Sequence, residues 1–269
     1  MKVVVTGASG FVGSHVCQAL AVAGHEVDAR SVRLQGRLDF TAQSVVHLAG
    51  IAHRQASRED LQDANVRLAQ AVARHAASVG ASFVFLSTVK VHGEESRSPF
   101  TEQSALAPQD AYAESKARAE DLLCAVPGLR LTVLRPPLVY GPGVKANFLA
   151  LMRAVDRGWP LPLARVTNRR SLIYVGNLAD AIVRTLAGDG TYLVADGGAV
   201  STAELCRELA APLGGRARLF AWPQSLLPRK LAASLEVDDS AIRRALGWRP
   251  PHSRQAGLRA TADWYRARR

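Results

Sequence analysis

The stretch Val3-Val4-Val5-Thr6-Gly7-Ala8-Ser9-Gly10-Phe11-Val12-Gly13 restricts this chain more than any other part of it. A run of β-branched apolar residues suits a strand buried on both faces, as in a parallel sheet. Three glycines follow at three-residue spacing, and Val16, Ala19, Leu20, Val22 and Ala23 continue with helical spacing. In such a strand–turn–helix unit, Gly7 and Gly10 allow turn conformations closed to other residues and bring backbone near a ligand. Gly13 lets helix and strand pack tightly. The first helical residues, Phe11 and Val12, point free N–H groups and the positive dipole end at the gap, so a pyrophosphate belongs there. The spacing predicts a dinucleotide site built on Gly7, Gly10, Phe11, Val12 and Gly13.

The 269 residues can bury a sizeable core, and 48% hydrophobic with 21% charged residues fits a soluble globular protein. No apolar run reaches the roughly 18 residues needed to cross a bilayer, and no signal-like leader precedes the first strand. Cys17, Cys124 and Cys206 stand far apart, which argues against a disulfide framework or a metal site and for a reducing cytoplasm. The net charge of +11 comes from arginines spread along the chain, with only five lysines. Without a reading helix or an aromatic platform this charge does not predict nucleic-acid binding; no membrane partner is expected either. The positive field would help draw in a small anionic substrate.

The first half alternates strand and helix, which predicts a parallel sheet with helices on both faces. Strands are expected at Lys2–Thr6, Glu26–Arg30, Ser44–Leu48, Ser82–Ser87 and Arg130–Leu134, and helices at Phe11–Ala23, Arg58–Val79 and Ala111–Ala125. Residues 31–43 are too few for another helix and a full strand, so the third strand is missing or reduced to Arg37–Phe40. After Tyr140, Gly141-Pro142-Gly143 breaks the pattern. A helix follows from Ala146 to Arg157, then shorter elements at Ser171–Val175, Asn177–Leu186 and Tyr192–Ala195. Ser201 with Glu204 reads as a capping box, and Ser240–Leu246 and Ser253–Arg266 close the chain as helices. The expected architecture is α/β: a Rossmann-type, doubly wound parallel sheet over residues 1–140, joined by 171–195 through a crossover. Residues 141–170 and 196–269 form a small substrate-binding lobe.

Tyr112-Ala113-Glu114-Ser115-Lys116 places a phenol and an ammonium one helical turn apart on one face. The positive charge is expected to lower the tyrosine pKa and make Tyr112 a general acid or base. The apolar strand ending at Ser87 and Thr88 brings hydroxyls to the carboxyl end of a parallel strand, where ligands of such sheets gather.

Six motifs occur in order: Gly7-x-x-Gly10-x-x-Gly13, His47-Leu48-Ala49-Gly50, Leu86-Ser87-Thr88-Val89-Lys90-Val91-His92-Gly93, Tyr112-x-x-x-Lys116, Arg135-Pro136-Pro137-Leu138-Val139-Tyr140-Gly141-Pro142-Gly143 and Arg170-Ser171-Leu172-Ile173-Tyr174-Val175. With these the chain resembles the extended short-chain dehydrogenase/reductase superfamily over nearly its whole length. It is most similar to nucleotide-sugar 4-epimerases and 4-ketoreductases, including the enzymes forming UDP-N-acetylquinovosamine, through Val144–Phe148. The resemblance implies that Tyr112 exchanges a proton with the sugar O4, that Thr88 polarises the same oxygen, and that Lys116 tunes Tyr112 and holds the nicotinamide ribose. Asn65 would complete the catalytic set. Leu48, Ala49, Gly50 and Ser87 would line the cofactor, and backbone near Pro136 and Leu138 would meet its carboxamide. Asn147 and Arg170 would hold the nucleotide diphosphate, with Lys90 reaching the substrate or covering the strand end. A homodimer through the two long helices is implied as well.

Lys90 and His92 depart from that pattern, standing where a small residue and a tyrosine are usual. At the end of the second strand Arg30 and Arg33 occupy the place where NAD-selective sites carry a carboxylate, and Asp28 lies two residues early. This favours NADP(H), with NAD(H) the alternative. The same residues serve a reductase, an epimerase or a non-catalytic cofactor-binding sensor. The arginines and the shortened adenine wall favour cofactor exchange, and so reduction of a UDP-4-keto-hexose.

Overall fold

In the computed structural model, which describes residues 1–31, 38–52 and 56–268, the valine run forms β1 (Lys2–Thr6), with Val3, Val4 and Val5 fully buried. It leads through the glycine turn into α1 (Phe11–Val22), then β2 (Glu26–Arg30) and β3 (Ser44–His47). The long helix that follows is composite. A capped turn, α2 (Arg58–Leu61), passes into a π-helical segment (Gln62–Arg67) and then α3 (Leu68–Ser78). Next come β4 (Ser82–Leu86), a 3-10 turn (Val89–His92), α4 (Ala111–Cys124), β5 (Arg130–Arg135), β6 (Leu138–Tyr140) and α5 (Ala146–Asp156). The remainder is β7 (Leu172–Tyr174), α6 (Val175–Arg184), β8 (Gly190–Leu193), α7 (Thr202–Ala210), a 3-10 turn (Gln224–Leu226), α8 (Arg229–Ala232), α9 (Ser240–Leu246) and α10 (Arg254–Arg266).

Six strands pair in parallel in the order β2-β1-β3-β4-β5-β8. Side chains alternate between the two faces, as the pleat requires. Val3, Val5, Val46, Val84 and Leu134 pack with Val16 and Leu20 of α1, Leu178 and Ile182 of α6 and Ile242 of α9. Val4, Val45, Phe83, Phe85 and Val133 face the other way, against Leu68, Val72 and Ala76 of α3 and Ala119 and Leu123 of α4. This is the Rossmann-like sheet the alternation predicts. Among the described residues no strand lies outside β2, and the expected strand remnant at Arg37–Phe40 does not form: Leu38, Asp39 and Phe40 have no ladder partner, and Arg37 lies outside the described residues. Instead Phe40 is buried edge-on to the His75 ring, whose Nε2 lies 2.9 Å from the Phe40 carbonyl.

The C-terminal part has its own core, in which Tyr140, Phe148, Met152, Leu172, Leu205, Leu209 and Leu258 pack together. Beneath it β6 and β7 form a separate two-stranded parallel sheet. Ser201 and Glu204 make the capping box that starts α7. Among the described residues no helix is long and apolar enough to cross a membrane.

Candidate active site

Gly7 and Gly13 are required where β1 turns into α1. Gly7 has φ of +72°, and a Cβ on it would stand 2.7 Å from the Ala49 backbone nitrogen. A Cβ on Gly13 would stand 2.2 Å from the Gly7 carbonyl oxygen, so only glycine lets α1 approach β1 this closely. Gly10 has an ordinary φ of −74° and caps α1 without a side chain, leaving the helix N-terminus open. Beside this turn lies a groove of about 470 Å³ lined by Gly7, Ala8, Ser9, Cys17, Ala29, Arg30, Ser31 and Ala49. The shape and the free N–H groups fit a dinucleotide. Leu48 packs into the core beneath the groove and its N–H donates to the Thr6 carbonyl at 3.1 Å, so its part is to carry the neighbouring Ala49 to the rim. Phe11 leans on the loop after β6, where a Cβ on Gly143 would come within 3.2 Å of its ring, and Val12 packs on the sheet core.

Tyr112 and Lys116 rise from α4 against the carboxyl end of β4. Lys116 is only 5% exposed, its Nζ lies 3.9 Å from the centre of the Phe85 ring, and among the described residues it has no hydrogen-bond acceptor. Burial lowers its pKa to about 7, with Glu120 pulling the other way. A buried cation stacked on a ring and otherwise without partners fits a ligand that brings its own acceptors, such as ribose hydroxyls. The half-buried Tyr112 differs from expectation. Its pKa is raised, first by burial and then by the Asp110 carboxylate. Thr88 caps the 3-10 turn, and its Oγ1 accepts from the Lys90 N–H at 3.3 Å, leaving the hydroxyl hydrogen for a ligand.

Asn65 lies on the π-helical segment and is fully buried. Its Nδ2 donates to the Ile51 carbonyl at 3.1 Å and to Ser115 Oγ at 2.9 Å, and its Oδ1 accepts from the Ile51 N–H at 2.8 Å. Both of its N–H groups and its oxygen thus tie the loop after β3 to the tyrosine helix. A Cβ on Gly50 would lie 2.7 Å from that Oδ1, so Gly50 makes room for Asn65.

Groups expected to meet ligands also have partners within the chain. The Ser87 hydroxyl turns inward and donates to the buried Glu120, so Ser87 offers the cofactor no side chain. The Pro136 carbonyl accepts from the Val89 N–H at 2.9 Å, which engages one of its two lone pairs, and Leu138 is 38% exposed. Lys90 Nζ lies 2.7 Å from both Glu94 and Asp110, and Asp110 in turn accepts the Ala113 N–H at 2.7 Å as the cap of α4. Lys90 therefore anchors the start of the tyrosine helix to the turn after Thr88, the strand-end alternative, and keeps one of its three N–H groups unengaged.

The model of the NAD dependent epimerase/dehydratase family matches residues 3–194. The chain belongs to that family. It is 33% identical to a UDP-glucose 4-epimerase of Vibrio cholerae, over 97% of this chain and 94% of the relative. It is 26% identical to a GDP-6-deoxy-D-mannose reductase of Pseudomonas aeruginosa, over 98% of this chain and 97% of that one. Among solved structures it superimposes on a UDP-N-acetylglucosamine 4-epimerase from Bacillus cereus with a TM-score of 0.85, 20% identity and 99% of each chain covered. This family member is thus an NAD(P)-dependent enzyme of the nucleotide-sugar-modifying group.

Within the family frame Arg30 differs most from what the sequence promises. Its Nε donates to both Asp28 oxygens at 2.9 and 3.0 Å, its Nη1 to Asp39 at 2.9 Å, and its guanidinium lies 5.8 Å from the Phe40 ring centre. Arg33 lies outside the described residues. Arg170 is pinned by its backbone to Val200 and Leu235, and its Nη1 donates to the Ala233 carbonyl at 3.1 Å, leaving Nε and Nη2 available. Asn147 is exposed in the first turn of α5, after Ala146 with its strained φ of +52°. Asp110, Glu120 and Cys17 complete the surroundings and were not expected there. Glu120 could have been found, since it repeats the four-residue step from Tyr112 to Lys116.

Proposed function

We propose that this chain is an NAD(P)-dependent oxidoreductase acting at C4 of a nucleotide-activated sugar, reducing a UDP-4-keto-hexose to the 4-hydroxy sugar. The observation that carries the reading is the pairing of a phenol held in its protonated form with a buried, unpartnered ammonium one turn away. The bound reduced cofactor supplies the hydride to C4. Tyr112 gives its proton to the oxygen that becomes the 4-hydroxyl, and Thr88 donates to the same oxygen. The Lys116 ammonium offsets the charge left on the phenolate. Asn65 acts by holding Ser115, three residues from Tyr112, and the loop beside Ala49. Arg170, through its free Nε and Nη2, and Asn147 are suited to the diphosphate. The test is consumption of reduced cofactor, followed at its nicotinamide absorbance, on addition of a UDP-4-keto-hexose. Interconversion of two UDP-hexoses without added cofactor would instead establish an epimerase.

That second reading has its own support. Two carboxylates engage the Arg30 guanidinium and offset its charge, which leaves it less suited to a 2′-phosphate and supports NAD(H) over the NADP(H) that Arg30 alone suggests. A retained NAD suits an epimerase, the activity named for the Vibrio cholerae relative.

A further inference from the structure

Behind Lys116 runs a buried polar chain that touches neither the groove nor any expected ligand. Glu120, 4% exposed, lies one helical turn beyond Lys116, as Lys116 lies one turn beyond Tyr112. Its carboxylate accepts from Arg135 Nε at 3.1 and 3.2 Å, from Arg135 Nη2 and from Ser87 Oγ. Arg135, 7% exposed, lies 3.1 Å through Nη1 from His92 Nε2, and His92 Nδ1 lies 3.2 Å from the Ala105 carbonyl. Ser87 ends β4 beside Thr88, Arg135 ends β5, and Glu120 belongs to α4, so this chain joins the two strand ends that frame the site to the helix carrying the acid.

We infer that Glu120, clamped by Arg135 and Ser87, is a positioning residue for the Tyr112–Lys116 pair: it fixes α4 against the ends of β4 and β5 and supplies the balancing charge that keeps Lys116 an ammonium. The groups facing Lys116 support this. On its own helix stand Tyr112, Glu120 and the capping Asp110, which lies beyond Tyr112. On β3 stands His47, whose pKa burial and Lys116 push to about 3, so it is neutral; on β4 there is only the Phe85 ring. The α2 and α3 side contributes neutral Asn65 through Ser115, while its charged pairs, Arg58 with Glu114 and Arg67 with Asp63, are at the surface. Arg135 and the His92 ring, which burial and Arg135 keep neutral, stand behind Glu120. Glu120 is thus the only anion next to the ammonium among the described residues.

The inference rests on the roles given to Tyr112 and Lys116, and it can be tested without turnover, by measuring NADH affinity through nicotinamide fluorescence from pH 5 to 10. In Glu120→Gln the alkaline loss of affinity, which follows deprotonation of Lys116, moves to lower pH by about one unit. Because that variant leaves Arg135 buried and uncompensated, Glu120→Gln/Arg135→Met is made beside it; it recovers the melting temperature but keeps the shifted limb. Either soluble variant with a wild-type pH limb overturns the inference, as does a double variant whose limb returns with its stability. A substrate screen that finds no turnover would bear on the proposed function and leave this result standing.

Discussion

Replacing Lys116 with methionine should make the protein more stable at neutral pH while abolishing its activity. The lysine pKa falls from 10.5 to about 7 on folding because burial desolvates its ammonium. At about 1.4 kcal/mol per unit, a gap of this size corresponds to roughly 5 kcal/mol of charge-burial cost, and methionine fills the same volume without it. The stacked cation–ring contact with Phe85 is lost, returning about 1–2 kcal/mol. The net gain is about 3 kcal/mol, or a rise in melting temperature of roughly 6–10 °C for a chain of this size. A lysine whose folded pKa is depressed binds fewer protons folded than unfolded between about pH 7 and 10.5, so wild-type stability climbs across that window. The advantage of Lys116→Met is therefore full below about pH 7 and disappears as pH rises through the unfolded lysine value. Thermal melts of both proteins at pH 6, 8 and 10 measure this. A variant that melts at or below wild type at pH 6, or a gap that does not close by pH 10, would refute the idea of a buried ammonium awaiting ligand oxygens.

Tyr112→Phe should lower kcat by about 10²–10⁴-fold while the cofactor dissociation constant, read by fluorescence titration, changes less than about twofold. Gly13→Ala should cost about 1–3 kcal/mol in urea unfolding and weaken dinucleotide binding, since its Cβ would meet the Gly7 carbonyl oxygen at 2.2 Å. Asp39→Asn should shift selectivity toward NADPH, by releasing one carboxylate from Arg30; an unchanged NADPH-to-NADH affinity ratio would show that the charge balance at β2 does not select the cofactor.

The alternation of apolar runs with helical spacing, and with it the parallel sheet, could be read directly from the residues, because burial on both faces leaves a strand no polar positions. The glycine turn was legible for the same reason: at Gly7 and Gly13 the backbone itself fills the space where a side chain would go. Tyr112 and Lys116 were visible through helical periodicity, which is local. The roles of Ser87, Pro136 and Lys90 were not, since each is decided by a partner distant in sequence: Glu120, Val89 and Asp110.

Patterns within a few neighbouring residues were enough for the doubly wound fold, the glycine turn and the placing of Tyr112 and Lys116 on one helix. The charge states and the allegiances of the polar side chains came instead from contacts between distant parts of the chain. Burial holds Tyr112 protonated and unsettles Lys116, and two carboxylates, one of them nine residues away, claim Arg30. Desolvation and pairing depend on what the folded chain brings within a few ångströms, and no local spacing encodes that.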